Sequence, residues 1–297
     1  MTLEQLRIFL AVAERQHVTR AAQALGLAQS AVSAAVAALE GAHGVALFDR
    51  IGRGITLTEA GTAFVPAARA VLAQAETARL VLEDLAQEPR GRLRLHASQT
   101  VASYWLPPQL VRFHAAFPKV EITLSVGNTA QVAQAVQAGE ADLGFVEGAV
   151  AQGDLHRQVV ARDQLVLIMA QGHPWAGRTT IAPADYPRLR WILREAGSGT
   201  RSEFEAHLAA QGLMPDDLQV ALEMPSNAAV LTAVAAGDCV SALSARAVAT
   251  APGGLIARPI AGAERPFAVL SHPARHRTRA ARALLAQITG GGGMGQE

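Results

Sequence analysis

The residues with the clearest chemistry fall into two sets. Gln29, Ser30 and Ser33 share one face of a predicted helix, an exposed polar strip of the kind that hydrogen-bonds base edges or phosphate oxygens. Thr19 and Arg20, in the helical run before it, join them as candidate DNA contacts. Arg50 and Arg53, three residues apart in a glycine-rich hairpin sequence, are placed to reach phosphates or a minor groove. The second set consists of small hydroxyl and amide residues where strand-like runs give way to helices: Ser98-Gln99-Thr100, Gly127-Asn128-Thr129, Ser198-Gly199-Thr200-Arg201 and Ser226-Asn227. Each such junction exposes backbone N–H groups and the positive end of a helix dipole, so each can hold an anion. Each is equally an ordinary helix N-cap. Arg201 adds a planar fork that either clamps a carboxylate or oxyanion or simply faces solvent. Glu147 closes another strand-like run, where lining a pocket, favouring a protonated or cationic group, and serving as a hinge are all open to it.

The elements that must position these groups are legible in the pattern. Helical runs at 18–25 and 29–39 flank Gly26-Leu27, with Ala22 small enough for a close helix crossing and Val32 sealing the pair from the second helix. Gly26 can take the positive φ of a tight turn, which makes this a helix-turn-helix whose second helix can enter a major groove. Residues 58–88 form one alanine-rich helical run, which Pro66 is expected to kink or loosen. Along it Phe64, Ala68, Val71, Ala75, Ala78, Leu82 and Leu85 follow a 4-3 spacing, a heptad seam that wants a partner helix or an intrachain core. Beyond Pro89-Arg90-Gly91, strand-like runs at 92–98, 120–127, 142–147, 164–170, 190–194, 219–224, 239–243 and 267–272 alternate with helical ones. This predicts an α/β architecture with a mainly parallel sheet, whose strand ends open on a ligand cleft. The glycine run 290–293 and the residues after it read as a disordered tail.

Composition narrows the function classes. Half of the 297 residues are apolar and 17% are charged, the balance of a folded chain of roughly two units. No run approaches the ~18 consecutive apolar residues of a membrane helix. Residues 1–12 carry Glu4 and Arg7 with no basic n-region or cleavage site, so the expectation is a cytoplasmic chain without a secretory signal. The single cysteine, Cys239, excludes an intrachain disulfide and any multi-cysteine zinc site. Neither a G-x-S-x-G elbow, a phosphate-binding G-x-x-x-x-G-K motif, a dinucleotide G-x-G-x-x-G nor H-E-x-x-H occurs, so no catalytic residues, cofactor or metal are expected. The net charge of +1 offers no bulk basic footprint, and a DNA reading rests on placement.

The stretch 3–61, including LRIFLAVAE, TRAAQALGLAQSAVSAAVAALE, LFDR and RGITLTEAG, resembles the winged helix-turn-helix of LysR-type transcriptional regulators. The resemblance implies α + α/β: a winged helix-turn-helix DNA-binding domain at 1–58, a linker dimerisation helix at 59–89, and at 90–297 an effector-binding domain of two periplasmic-binding-protein-like α/β lobes. It implies promoter DNA as partner, a homodimer or homotetramer, and an effector pocket lined by Ser98, Thr100, Thr129 and the loop 197–201. Ala28 and Ala34 stand where members commonly carry serine and a basic or polar residue. ASQTVASYWLP and REAGSGTR resemble the sulfur-metabolism branch, which implies an oxyanion such as sulfite or sulfate as effector; a small carboxylate is the other candidate. The rival from another class is a solute-binding receptor whose residues 1–88 serve only as an oligomerisation arm.

Overall fold

The computed structural model describes residues 1–51, 54–84, 88–150, 153–251 and 253–290, with the backbone alone for 50, 51, 77 and 80–84. It divides into two compact units, Met1–Leu85 and Ala86–Glu297.

In the first unit, α1 (Leu3–Arg15) starts on a capping box between Thr2 and Gln5. Helices α2 (Val18–Leu25) and α3 (Gln29–His43) are bent 109° to one another. Gly26 turns the chain between them at φ +67°, and the Leu27 amide bonds back to the Ala22 carbonyl. Ala22 and Val32 are both buried, packed with Ile8, Ala11, Val12, Ala21 and Val36. A hairpin of β1 (Phe48–Ile51) and β2 (Gly54–Leu57) follows, antiparallel with Arg50 opposite Ile55. Glu40 on α3 fixes the approach to it by accepting from the Leu47 and Phe48 amides at 2.7 and 3.1 Å. Helix α4 (Glu59–Asp84) runs unbroken across Pro66. Its first seam positions serve this unit's own core: Ala68 is buried and Phe64 half-buried against Leu6, Phe9, Leu39 and Leu47. Farther along, Val71 is 42% exposed and Ala78 is exposed, so the seam changes from intrachain packing to an open apolar edge within one helix. The Leu82 side chain and Leu85 lie outside the described residues.

The second unit is built on one eight-stranded sheet. Its elements are β3 (Gly91–Ser98), α5 (Gln99–Tyr104), α6 (Leu106–Ala116), β4 (Val120–Gly127), α7 (Thr129–Ala138), β5 (Leu143–Glu147), β6 (His156–Ala170) and β7 (Arg190–Arg194). Then come α8 (Gly199–Ala210), β8 (Gln219–Met224), α9 (Asn227–Ala235), β9 (Val240–Ser244), α10 (Ala245–Ala249), β10 (Leu255–Ser271) and α11 (Arg279–Gly290). The strand order is β4-β3-β5-β10-β6-β9-β7-β8.

Two corrections to the sequence reading follow. The sheet is mixed: β3–β4, β3–β5, β7–β8 and β7–β9 are parallel, whereas β5–β10, β10–β6 and β6–β9 are antiparallel. The runs expected at 164–170 and 267–272 are also only halves of longer strands, of 15 and 17 residues. Their other halves carry arginines, Arg157 and Arg162 in β6 and Arg258 and Arg265 in β10, and that of β10 is interrupted by Pro259 and Pro266, which hides the alternation that marks a half-buried strand. Both strands pass from one lobe into the other. The first lobe holds β3, β4, β5, the start of β6 and the end of β10, with a core around Leu95, Phe113, Phe145 and Phe267. The second holds β7, β8, β9, the end of β6 and the start of β10, around Trp191, Phe204, Leu208 and Ile260. Because β6 leaves the first lobe and β10 returns to it, the two must run in opposite directions. The register brings Asp163 directly opposite Arg265 at this crossover.

Candidate functional site

On the first unit, Arg20, Gln29 and Ser30 are exposed, and Thr19 and Ser33 are half-buried. Ala28 has extended φ and ψ of −70° and 143° but no side-chain cap on α3, and His17 likewise makes no cap bond to α2. Arg53 and the Arg50 side chain lie outside the described residues.

In the second unit, the carboxyl ends of the strands of each lobe converge, and the helices opening there bring six of the singled-out residues into one buried cluster. Ser98 at the end of β3 donates to Glu147 Oε2, and Thr200 in the first turn of α8 donates to Oε1 at 3.3 Å. Thr129, opening α7, donates to the Glu147 backbone carbonyl at 2.7 Å. The Thr100 hydroxyl is 3.4 Å from that of Thr200 and accepts from Asn227 Nδ2 at 3.2 Å. Glu147 is 2% exposed. A glycine makes this meeting possible: a Cβ on Gly199 would fall 1.9 Å from the Glu147 carbonyl oxygen and 2.4 Å from Thr129 Oγ1. No larger residue fits between α8 and the end of β5 without moving the lobes apart.

The remaining singled-out residues surround the cluster in other roles. Gln99 bridges the lobes, donating to the Pro225 carbonyl at 3.0 Å and accepting from the Asn227 amide at 3.1 Å. Asn128 forms a capping box with Gln131 at the start of α7, and Ser198 caps α8. Two of the Arg201 nitrogens are engaged within the protein: Nε bonds Glu205 at 2.7 Å, and Nη1 bonds Glu223 and the Arg194 carbonyl. Its pKa is raised, chiefly by the hydrogen bond to Glu205.

Sequence reasoning missed the charged half of the site. Arg265, on β10, is 0% exposed. Its Nε donates to Asp163 Oδ2 at 2.8 Å, and its Nη1 donates to Thr200 Oγ1 at 3.0 Å. Nη2 lies 2.8 Å from Asp163 Oδ2 as an ion pair, yet its angle makes no hydrogen bond there or elsewhere among the described residues. The Ser244 hydroxyl donates to the other Asp163 oxygen at 2.9 Å. Arg194 is also buried, held on Glu195 at 2.8 Å and donating to Asn227 Oδ1. Glu203 on α8 completes the electrostatics: burial pushes its carboxyl up, against the pull of Arg265 and Arg157 and with the push of Glu147. No motif could have announced Arg265 and Asp163, since only strand register joins positions about a hundred residues apart. Asn227 did carry a signal, as part of the Ser226-Asn227 junction.

Away from the cluster, an open groove of about 800 Å³ runs between α7 and α8, past Ala133, Gln134, Gln137, Arg201 and Glu205. Among the described residues, no group of three or more His, Cys, Asp or Glu residues is arranged to hold a metal ion, and no single helix is long and apolar enough to cross a membrane.

The comparisons with known proteins bear on both units. Residues 3–62 match the family described as bacterial regulatory helix-turn-helix protein, lysR family, and residues 86–292 match the LysR substrate binding domain. The chain is 37% identical over 248 residues to the uncharacterized HTH-type transcriptional regulator YeiE of Escherichia coli K12, covering 84% of this chain and 82% of that one. It is 31% identical over 244 residues to the HTH-type transcriptional regulator CysL of Bacillus subtilis 168, covering 82% and 81%. The structure of full-length CbnR complexed with its target DNA superposes with a TM-score of 0.70 over 97% of each chain, at 23% identity, a likeness of fold.

Proposed function

The chain belongs to the LysR family of bacterial transcriptional regulators, and from that premise we propose that it reads promoter DNA with residues 1–58, pairs with a second copy through 59–89, and takes a small anionic effector between the lobes of 90–297. It is a regulator with a helix-turn-helix module and a substrate-binding domain, and the relatives it matches are regulators rather than enzymes. We place this work in the cytoplasm, on DNA, in a homodimer or homotetramer. Thr19, Arg20, Gln29, Ser30, Ser33, Arg50 and Arg53 are the DNA contacts of this reading. The first five have the exposed and half-exposed positions that contact requires.

The effector reading rests on one observation: hydroxyls from both lobes and a buried guanidinium meet at the strand ends, in Ser98, Thr100, Thr129, Thr200 and Arg265. Gln99, Asn128, Ser198 and Arg201 frame that meeting point, and Glu147 sits at its centre. A ligand bound there touches both lobes at once, so it shifts the population of lobe arrangements by its difference in affinity for them. An oxyanion such as sulfite or sulfate, or a small carboxylate, is the ligand class. The test is thermal unfolding of the full chain against sulfite, sulfate, phosphate and small carboxylates at matched ionic strength, with Thr100→Ala alongside. A specific ligand at ~100 times its Kd stabilises by about 2.7 kcal/mol, and the shift disappears in the variant. No shift with any anion defeats the effector reading and leaves the family assignment intact.

A further inference from the structure

The exposed face of α3 is defined by what it lacks. Gln29–His43 contains no arginine and no lysine, the two side chains that read guanine through O6 and N7. Its single acid, Glu40, is of the type that reads cytosine N4, but Oε1 already accepts from the Leu47 and Phe48 amides. Glu40 also stands eleven residues after Gln29, roughly 16 Å down the helix from the end that meets base edges. The cations of the DNA reading, Arg20, Arg50 and Arg53, belong instead to α2 and the hairpin sequence. Packing decides which groups α3 does present. Val32, Val36 and Leu39 are buried in the core of the unit. At ~100° per residue, Ser30 and Ala34 point almost directly away from them, and both are exposed. Gln29 and Ser33 stand to one side of that line, Ala31 and Ala38 to the other.

Ser30 can donate or accept, so it is compatible with several base edges. Ala34 can do neither. In the major groove only thymine presents a group that a methyl satisfies, its own C5 methyl. Against the polar edge of guanine, cytosine or adenine, the Ala34 side chain would strip water from donors and acceptors and pair none of them. We propose that Ala34 is a specificity residue of the DNA-binding unit, selecting a thymine by contact between the two methyl groups. The pair facing Ala34 is then A·T, in the orientation that turns the thymine methyl toward α3. An arginine at this position would convert the same contact into a guanine contact, since a guanidinium bridges O6 and N7. The inference rests on the reading of α3 as the helix that meets DNA.

The test starts from a pool of random-sequence duplexes bound to the purified full chain, with the enriched site read by sequencing. That site is resynthesised with deoxyuridine replacing one thymine at a time, which removes the C5 methyl and leaves base pairing intact. At the thymine facing Ala34 the replacement is expected to weaken binding about fourfold, the transfer of one methyl-sized group. Cytosine methylated at C5 should bind more tightly than cytosine at the same position. Ala34→Gly should bind the deoxyuridine and thymine duplexes equally, and Ala34→Arg should move the enriched base there to guanine. Ala34 is exposed, so the arginine variant keeps the packing of α3, and its selection decides should the glycine variant lose helix. Equal binding of deoxyuridine and thymine duplexes at every position, or an enriched base that Ala34→Arg leaves unchanged, overturns the methyl contact while sparing DNA binding. A pool from which the full chain enriches no sequence overturns the DNA reading on which the inference rests.

Discussion

Replacing Gly199 by alanine tests the lobe contact with a sign that separates two outcomes. Gly199 opens α8 without a positive φ, so its backbone can carry a side chain, and in free surroundings Gly→Ala in a helix stabilises by about 0.5–1 kcal/mol. Here the added Cβ would lie 1.9 Å from the Glu147 carbonyl oxygen. The start of α8 must withdraw by roughly 1.5 Å to reach van der Waals separation. Thr200, the next residue, moves with it, stretching its 3.3 Å bond to Glu147 and its 3.0 Å bond from Arg265 beyond hydrogen-bonding reach. Overpacking of this kind costs about 1–3 kcal/mol, and each lost bond about 1 kcal/mol more. The expected net destabilisation is about 2–4 kcal/mol, which lowers Tm by roughly 5–10 °C for a unit of this size. Thermal unfolding followed by near-ultraviolet circular dichroism reads it directly. A variant that melts at or above the wild-type temperature would refute the claim that the lobes are held in close contact at this glycine.

Three further outcomes follow. Ala28→Ser supplies the missing cap of α3 and should stabilise the first unit by about 1 kcal/mol in denaturant unfolding; an unchanged midpoint would mean the first-turn amides already have partners. Burial among Phe204 and Tyr186 pushes the His207 pKa down, so its neutral form is favoured in the fold. Stability from this source is complete above the ordinary histidine value of about 6.5 and declines as pH falls below it, and His207→Gln should remove that decline from the stability profile. For DNA, Arg50→Ala and Arg53→Ala should each weaken binding across sequences and reduce the slope of log affinity against log salt by about 0.9 per phosphate contact, with Ser33→Ala acting on sequence preference instead; an unaltered slope in fluorescence anisotropy titrations removes both arginines from the interface.

The helix-turn-helix was readable because its information is local. Ala22, Gly26 and Val32 sit within one short stretch, and small size, positive φ and an apolar seal act between neighbours in sequence. Strand runs at 120–127, 190–194 and 219–224 were equally plain, because a few alternating or apolar residues between turns suffice. Reading failed where one strand serves two lobes. The arginine-bearing halves of β6 and β10 have no amphipathic period of their own, since their environment changes midway along the strand. With those halves went the antiparallel sense of the central pair.

The residue types and positions of the N-caps determined that Ser98, Thr129, Ser198 and Thr200 would gather at helix starts, and the sequence alone placed them there. Only the tertiary structure decided what their hydroxyls face. The β6–β10 register sets Arg265 on Asp163, and the close approach at Gly199 brings Thr200 of one lobe onto Glu147 of the other. Local propensity acts over a few residues and is written along the chain. Whether a buried hydroxyl offers a proton or a lone pair depends on partners fifty to a hundred residues away, and only the packed fold assigns them.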